Sequence, residues 1–172
     1  MKGGSRGREN SGRWGWMTFG SGFILQERSK EMATYQAMTQ EWLDAWKEKI
    51  ATSREYKEIA KNWEGSVSMI VNPDPEKGIA EPIYLFTDFW HGDVLEIALC
   101  DKAKAESAKF VMSGDYARWK QVAKKEVDST KALMQGKLKL KGDLTYIVRN
   151  IKTVNKVIDL LCEMETVWPD EA

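Results

Sequence analysis

The chain has no uninterrupted apolar run of about 18 residues or more, no apolar block with a cleavage site near its start, no Cys-x-x-Cys pair and only one histidine. Each absence removes a class of protein. Without a long apolar run or a leader, neither a spanning helix nor a secretory route is expected, and the expected location is cytoplasmic. The last residues, Val167 to Ala172, also lack a Ser-Lys-Leu peroxisomal address. The two cysteines, Cys100 and Cys162, sit among apolar neighbours and read as buried reduced thiols. His91, beside Gly92-Asp93, has no partners at the spacing of a metal site or a Ser-His-Asp system. Gly20-Ser21-Gly22 follows no strand, and Gly136 and Gly142 lack both the Gly-Lys-Ser/Thr ending and the GxGxxG spacing of a nucleotide loop. No metal and no cofactor is therefore expected. Twenty-six basic and 26 acidic side chains balance to zero, so no global field draws the chain to nucleic acid or to an anionic bilayer. Nucleic acid is not an expected partner, and any membrane contact must be local and transient.

What is present suits one domain, since 172 residues bury a substantial core but are few for two. Eight tryptophans and eight methionines are many for this length. Rigid rings and adaptable thioethers suit a core that wraps an irregular object, although a plain aromatic-rich core has the same composition. Residues 1–31 are rich in glycine, serine and arginine and have no sustained period. They read as a disordered or loosely attached tail, an expression leader, or translation from an upstream start, with Met32 or Met17 as the natural one. Their Arg6, Arg8, Arg13, Trp14 and Trp16 also allow contact with RNA or a membrane surface, a less favoured reading. The domain is expected over 32–172.

From Tyr35 the apolar residues Tyr35, Met38, Trp42, Trp46 and Ile50 recur at helical spacing, and the period predicts one amphipathic helix. Thr52 and Glu55 have capping-box spacing for a second, carrying Tyr56, Ile59, Ala60 and Trp63 and ending at Gly65. Strands are predicted over Val67–Val71, Ile83–Trp90, Val94–Cys100 and Ala108–Met112, with a hairpin turn at His91-Gly92-Asp93 and a charged loop over Asp101–Glu106. In the third of these, Leu95, Ile97 and Leu99 share one face. Ile83 to Phe86 is apolar on both faces, which implies cover on both.

The stretch Met112 to Arg149, MSGDYARWKQVAKKEVDSTKALMQGKLKLKGDLTYIVR, organises the rest. Asp115 is placed to cap a helix carrying Tyr116, Trp119, Val122 and Ala123, Asp128-Ser129 restarts the chain, and Gly136 stops it. Lys137 to Lys141 alternates, turning Leu138 and Leu140 inward and three lysines outward. That basic row guards an edge strand and has the charge to touch lipid headgroups. A final helix from Asp143 carries Leu144, Ile147, Val148, Ile151, Val154, Ile158 and Leu161, with Val157, Leu160, Met164 and Val167 as a second stripe. Two stripes imply burial on two sides, a partner, or a break that turns the second half onto a new surface.

The run GDYARWKQVAKKEVDSTKALMQGKLKLKGDL, and above all its Gly136-to-Asp143 strand-to-helix unit, resembles the C-terminal half of the sterol carrier protein 2 domain, and the resemblance extends over about Thr34 to Trp168. The elements themselves give an α+β domain, two helices, a mixed five-stranded sheet and covering helices. The resemblance implies that sheet and helices enclose an apolar tunnel, and that the protein binds a fatty acid, fatty acyl-CoA, sterol or isoprenoid without catalysis. Alternation and period put Phe86, Phe110, Met112, Trp119, Val122, Met134, Leu140, Ile147 and Ile151 on the tunnel wall, each also a plausible packing residue. Two other classes stay open. One is an interaction module, forming a homodimer or an enzyme partner through the N-terminal helices and the two-striped last helix. The other is an enzyme on a hydrophobic substrate using Asp88, Asp93 and His91, although Asp88, Asp93 and Glu96 read more simply as the solvated end of a hairpin.

Overall fold

Period-two alternation and helix caps divide the chain into its elements. In the computed structural model, which describes residues 33–172, these run β1 (Thr34–Gln36), α1 (Gln40–Thr52), α2 (Arg54–Ile59), β2 (Glu64–Asn72), β3 (Ile83–Trp90), β4 (Asp93–Leu99), α3 (Lys102–Glu106), β5 (Phe110–Asp115), α4 (Tyr116–Ala123), α5 (Ser129–Met134), β6 (Lys139–Lys141), α6 (Leu144–Arg149), α7 (Ile151–Cys162) and β7 (Glu165–Val167). The tail expected over residues 1–31 lies outside the described residues.

Five strands form a mixed sheet in the order β4-β3-β2-β5-β6, with β2 and β5 parallel and the other neighbours antiparallel. Register lines up Leu99, Leu85, Met69, Met112 and Leu140 across all five strands, on the face that receives the main helices. Phe110, Val67, Thr87 and Ile97 make the next row. A bulge between Asp88 and Phe89 pairs Phe89 with Val94 and Thr87 with Ile97, leaving Leu95 as the extra residue, 56% exposed. The expected shared face of Leu95, Ile97 and Leu99 is broken there. The opposite sheet face carries Phe86, Val111 and Ala108, with Ile70 and Cys100 against them. It meets α3, where a charged loop was expected. Asp101 caps that helix, its carboxylate accepting from Lys104 N at 2.7 Å.

Other expectations shift for local reasons. Tyr35 belongs to β1, which pairs in parallel with β7, and the first helix begins only where Thr39 Oγ1 accepts from Trp42 N. Tyr35 and Met38 keep helical spacing in the sequence alone, for Met38 also precedes the helix, in a turn at φ 65°. The second cap is Ser53, whose Oγ accepts from Tyr56 N, while the Thr52 hydroxyl donates back to Glu48 O at 2.8 Å. Trp63 lies beyond that helix, its indole N–H donating to Gly65 O at 2.9 Å. Asp115 holds the N-cap position of α4 without a side-chain cap bond, because its carboxylate takes Asn72 Nδ2 at 2.9 Å. The last helix breaks at Asn150, whose amide donates to Tyr146 O at 3.0 Å, and the Val167 end of its second stripe becomes β7. Both thiols are half-buried rather than buried, and desolvation raises the pKa of each.

The segment after β7 is fastened to α4 by charge. Tyr116 donates its hydroxyl hydrogen to Asp170 at 2.6 Å, Lys120 Nζ reaches Asp170 and Glu171 at 2.7 Å each, and Lys124 reaches Glu171 at 2.6 Å. The hydrogen bonds from Lys120 and then Tyr116 hold the Asp170 carboxyl below its ordinary value. A depressed folded pKa contributes stability above the unfolded value and loses it as pH falls through the folded one. Asp170→Asn is expected to cost about 1 kcal/mol at neutral pH, the scale of a partly exposed charge-assisted bond, with the deficit narrowing below about pH 4. Thermal unfolding of both proteins across that range checks it.

Candidate functional site

The sheet face that carries Met69 and Met112 does not pack flush against its helices. Between them lies a cavity of about 100 Å3, lined almost wholly by carbon. The sheet supplies its floor through Val67, Met69, Thr87, Phe89 and Met112. Trp119 and Val122 of α4, Leu133 of α5 and Ile147 of α6 form one side, and Val154, Val157, Ile158 and Leu161 of α7 form the roof. Trp46, Trp63 and Leu138 close the remaining gaps. The polar atoms that reach this space are mostly satisfied elsewhere, Thr87 donating to Val67 O at 2.8 Å and Thr153 to Ile59 O at 3.1 Å.

The walls hold their shape because the rings are pinned. Trp46 Nε1 donates to Val157 O at 3.1 Å, and Trp119 Nε1 to Ile70 O at 3.0 Å. A second apolar void of about 40 Å3 shares Trp46, Met69, Trp119, Ala123 and Leu161 with the first as its dividing wall. On another side, Val122, Ser129 and Ile158 also border a polar recess of about 280 Å3, lined further by Lys125, Val127, Asp128, Asn155 and Asp159.

Four of the nine residues expected on a wall, Met112, Trp119, Val122 and Ile147, meet at the cavity. The other five do not border it. Phe86 is on the opposite sheet face, under Lys104 at 4.8 Å. Its strand is apolar on both faces there because α3 covers the second. Phe110 is buried on the inner face, but it packs instead on Trp63 and Tyr146, whose ring centroids lie at 5.8 and 5.3 Å. Met134 falls at the end of α5 and is 73% exposed, one position past the inward Leu133. Leu140 packs at the edge strand behind Met112, and Ile151 starts α7 after the break, which rotates it off the wall. Trp46, Trp63 and Leu138 were legible as inward-facing residues, whereas Met69 needed the cross-strand register with Met112, which no single segment contains.

None of Asp88, Asp93 and His91 lines the cavity. His91 holds a turn at φ 50°, with Nδ1 2.6 Å from Lys61 O and Nε2 3.1 Å from Glu64. Asp88 pairs across strands with Glu96, which is bound to Lys104. Among the described residues no helix is long and apolar enough to cross a membrane.

The model of the SCP-2 sterol transfer family matches residues 43–155. Among solved structures the chain is similar to a crystal structure of sterol carrier protein 2, at 28% identity and a TM-score of 0.68, with 75% of this chain and 99% of that one covered. It is similar to the same degree, 28% and 0.68, to a conserved hypothetical protein from Thermus thermophilus, over 77% of this chain and 92% of that one. The apo form of sterol carrier protein 2 from Yarrowia lipolytica shares the fold at 13% identity and a TM-score of 0.50, over 70% and 89% of the two chains. No curated protein matches the sequence.

Ile147 is 1% exposed and borders a void already present, so truncation removes fewer contacts than in a filled core. Ile147→Ala is expected to cost about 2–3 kcal/mol, near the low end for such changes, as read by chemical denaturation.

Proposed function

The chain belongs to the SCP-2 sterol transfer family, and from that membership we propose that it binds and transfers a lipid or similarly apolar small molecule without catalysing a reaction. The ligand is a fatty acid, a fatty acyl-CoA, a sterol or an isoprenoid. The observation that carries this reading is the carbon-lined space between the sheet and α4 to α7, at which Met112, Trp119, Val122 and Ile147 converge.

Burial of apolar ligand surface there yields roughly 25 cal/mol per Å2, so a chain or ring gains affinity before any polar recognition. The cavity of about 100 Å3 takes a short apolar segment as it stands. Its partition from the second void includes Met69 and Leu161, side chains that change rotamer without moving backbone. Turning them aside joins the two spaces into the tunnel. The lipid-binding unit is residues 32–172, with 1–31 as an extension ahead of it, and its setting is the cytoplasm. Transfer needs only a transient membrane contact, to which Lys137, Lys139 and Lys141 bring positive charge.

One observation favours a second reading, an interaction module that forms a homodimer or joins an enzyme. Leu144 and Val148 of α6 are 41% and 45% exposed, and Met134 is exposed as well.

Native mass spectrometry of freshly purified protein, followed by organic extraction, separates the two. Near-stoichiometric acyl, sterol or isoprenoid species on a monomer support the carrier, whereas an empty stable dimer supports the module. Met112→Asp or Ile147→Asp is expected to abolish uptake of a fluorescent lipid, and Phe86→Ala, on the far sheet face, to leave it unchanged. A folded Met112→Asp protein with full uptake refutes the assignment of the cavity as the ligand site.

A further inference from the structure

The carbon-lined cavity and the smaller void beside it are offset in one direction on four elements. On β2 the cavity borders Val67 and Met69, and the void borders Met69 and Val71. On β3 the same step runs from Phe89 and Thr87 to Leu85, which pairs with Met69. On α1 the cavity meets Trp46, and the void adds Trp42 and Met38 ahead of it. On α7 the cavity meets Val154, Val157, Ile158 and Leu161, and the void meets Leu161 alone. The two spaces therefore follow one another along the strands, with Met69 at the join. The steps from Val67 to Val71 span about 13 Å at the rise of a strand.

At the far end stands Trp168. It is 3% exposed, it borders the void and not the cavity, and it follows directly on β7. Its ring meets Trp42 and Tyr116 edge-on, with centroids 6.3 and 6.2 Å away. The next residue, Pro169, packs beside Gly78 of the loop between β2 and β3, where an added Cβ would lie 3.6 Å from it. Asp170 and Glu171 then hold Lys120 and Lys124 of α4, and the Lys120 ammonium lies 6.0 Å from the centre of the indole. One side of the ring faces carbon, and the charged segment that follows keeps it there. Met38, Trp42 and Trp168 all lie outside residues 43–155, so this end of the space is built from parts of the chain that the family model does not match.

We propose that Trp168 is the end wall of the ligand space and sets the length of apolar chain that the protein accepts. This inference rests on the carrier reading above. A tail that enters the cavity and turns Met69 and Leu161 aside advances along β2 into the void, and its last carbons meet the indole. Pushing the ring outward would require the strap to release α4, leaving Tyr116, Lys120 and Lys124 without their carboxylate partners. Each methylene buried short of the wall strengthens binding roughly fourfold. Carbons beyond that length have no apolar space to enter and add nothing.

Titration calorimetry with saturated straight-chain fatty acids of rising length, each below its aggregation concentration, tests the assignment. Wild-type affinity is expected to climb with length and then level off. In Trp168→Ala the climb is expected to continue to longer chains, while the shortest acids bind as they do to the wild type. That split separates an end wall from a residue that only packs, whose loss weakens every length alike. Val71→Ala, a smaller cut at the same end, is expected to extend the series by less, and it carries the test if the tryptophan variant does not fold. Val67→Ala, at the start of the path, is expected to leave the levelling point where it was. A wild-type series that never levels off, or a levelling point that stays put in the far-end variants, overturns the end wall and leaves the carrier reading standing. A shift of the same size in Val67→Ala overturns the placement of the wall at Trp168. Absence of binding at every length in the wild type overturns the inference together with its premise that the space takes an apolar chain.

Discussion

An indole that is buried must still find an acceptor for its one N–H, and much of this fold is arranged around four such obligations. Trp42 donates to Thr166 Oγ1, Trp46 to Val157 O, Trp63 to Gly65 O and Trp119 to Ile70 O. Three of these bonds join elements far apart in sequence. They tie α1 to β7, α1 to α7, and α4 to β2. Each fixes a large ring in angle as well as position, and leaves its carbon face free to be a wall.

Fixed rings explain how a domain of this size keeps a space inside it. Side chains free to relax collapse into a void, because surfaces across a gap lose their dispersion contacts. Trp46, Trp63 and Trp119 cannot do so without surrendering a hydrogen bond, so the frame resists collapse. The compliant residues, Met69 and Met112, face each other across the parallel pair β2 and β5 in the middle of the floor. A rigid frame around an adaptable floor lets the enclosed space change shape without losing its walls.

The sequence carried the architecture well and the site only in part. Gly136-to-Asp143 was readable because its physics is local. Gly136 sits at φ 69° where a helix ends, and Gly142, at φ 139°, packs so near Phe110 that a Cβ would come within 2.8 Å of its ring. Leu138 and Leu140 followed from alternation alone. The wall followed less well, because period says that a residue faces inward and not what it meets there. Phe86 and Phe110 are both buried aromatic strand residues, yet one lies beneath α3 and the other against Trp63. Met134 and Leu133 differ by a single position at a helix end. Ser129 was legible only as a helix start, and its burial at the edge of the cavity depends on elements distant in sequence.

The pairing of β1 with β7 brings the first and last described strands side by side and parallel, Thr34 against Glu165 and Gln36 against Val167, with Ala37 N bonded to Val167 O at 2.8 Å. In a parallel pair, the chain entering one strand and the chain leaving the other depart from opposite ends. Tension applied between those two points runs along the strands and loads their hydrogen bonds in shear, all at once, where an antiparallel pair would peel one bond at a time. The five-stranded sheet lies inside that clasp in the chain. Mechanically the small ribbon acts as a shackle, and the five-stranded sheet is loaded only once it has given way.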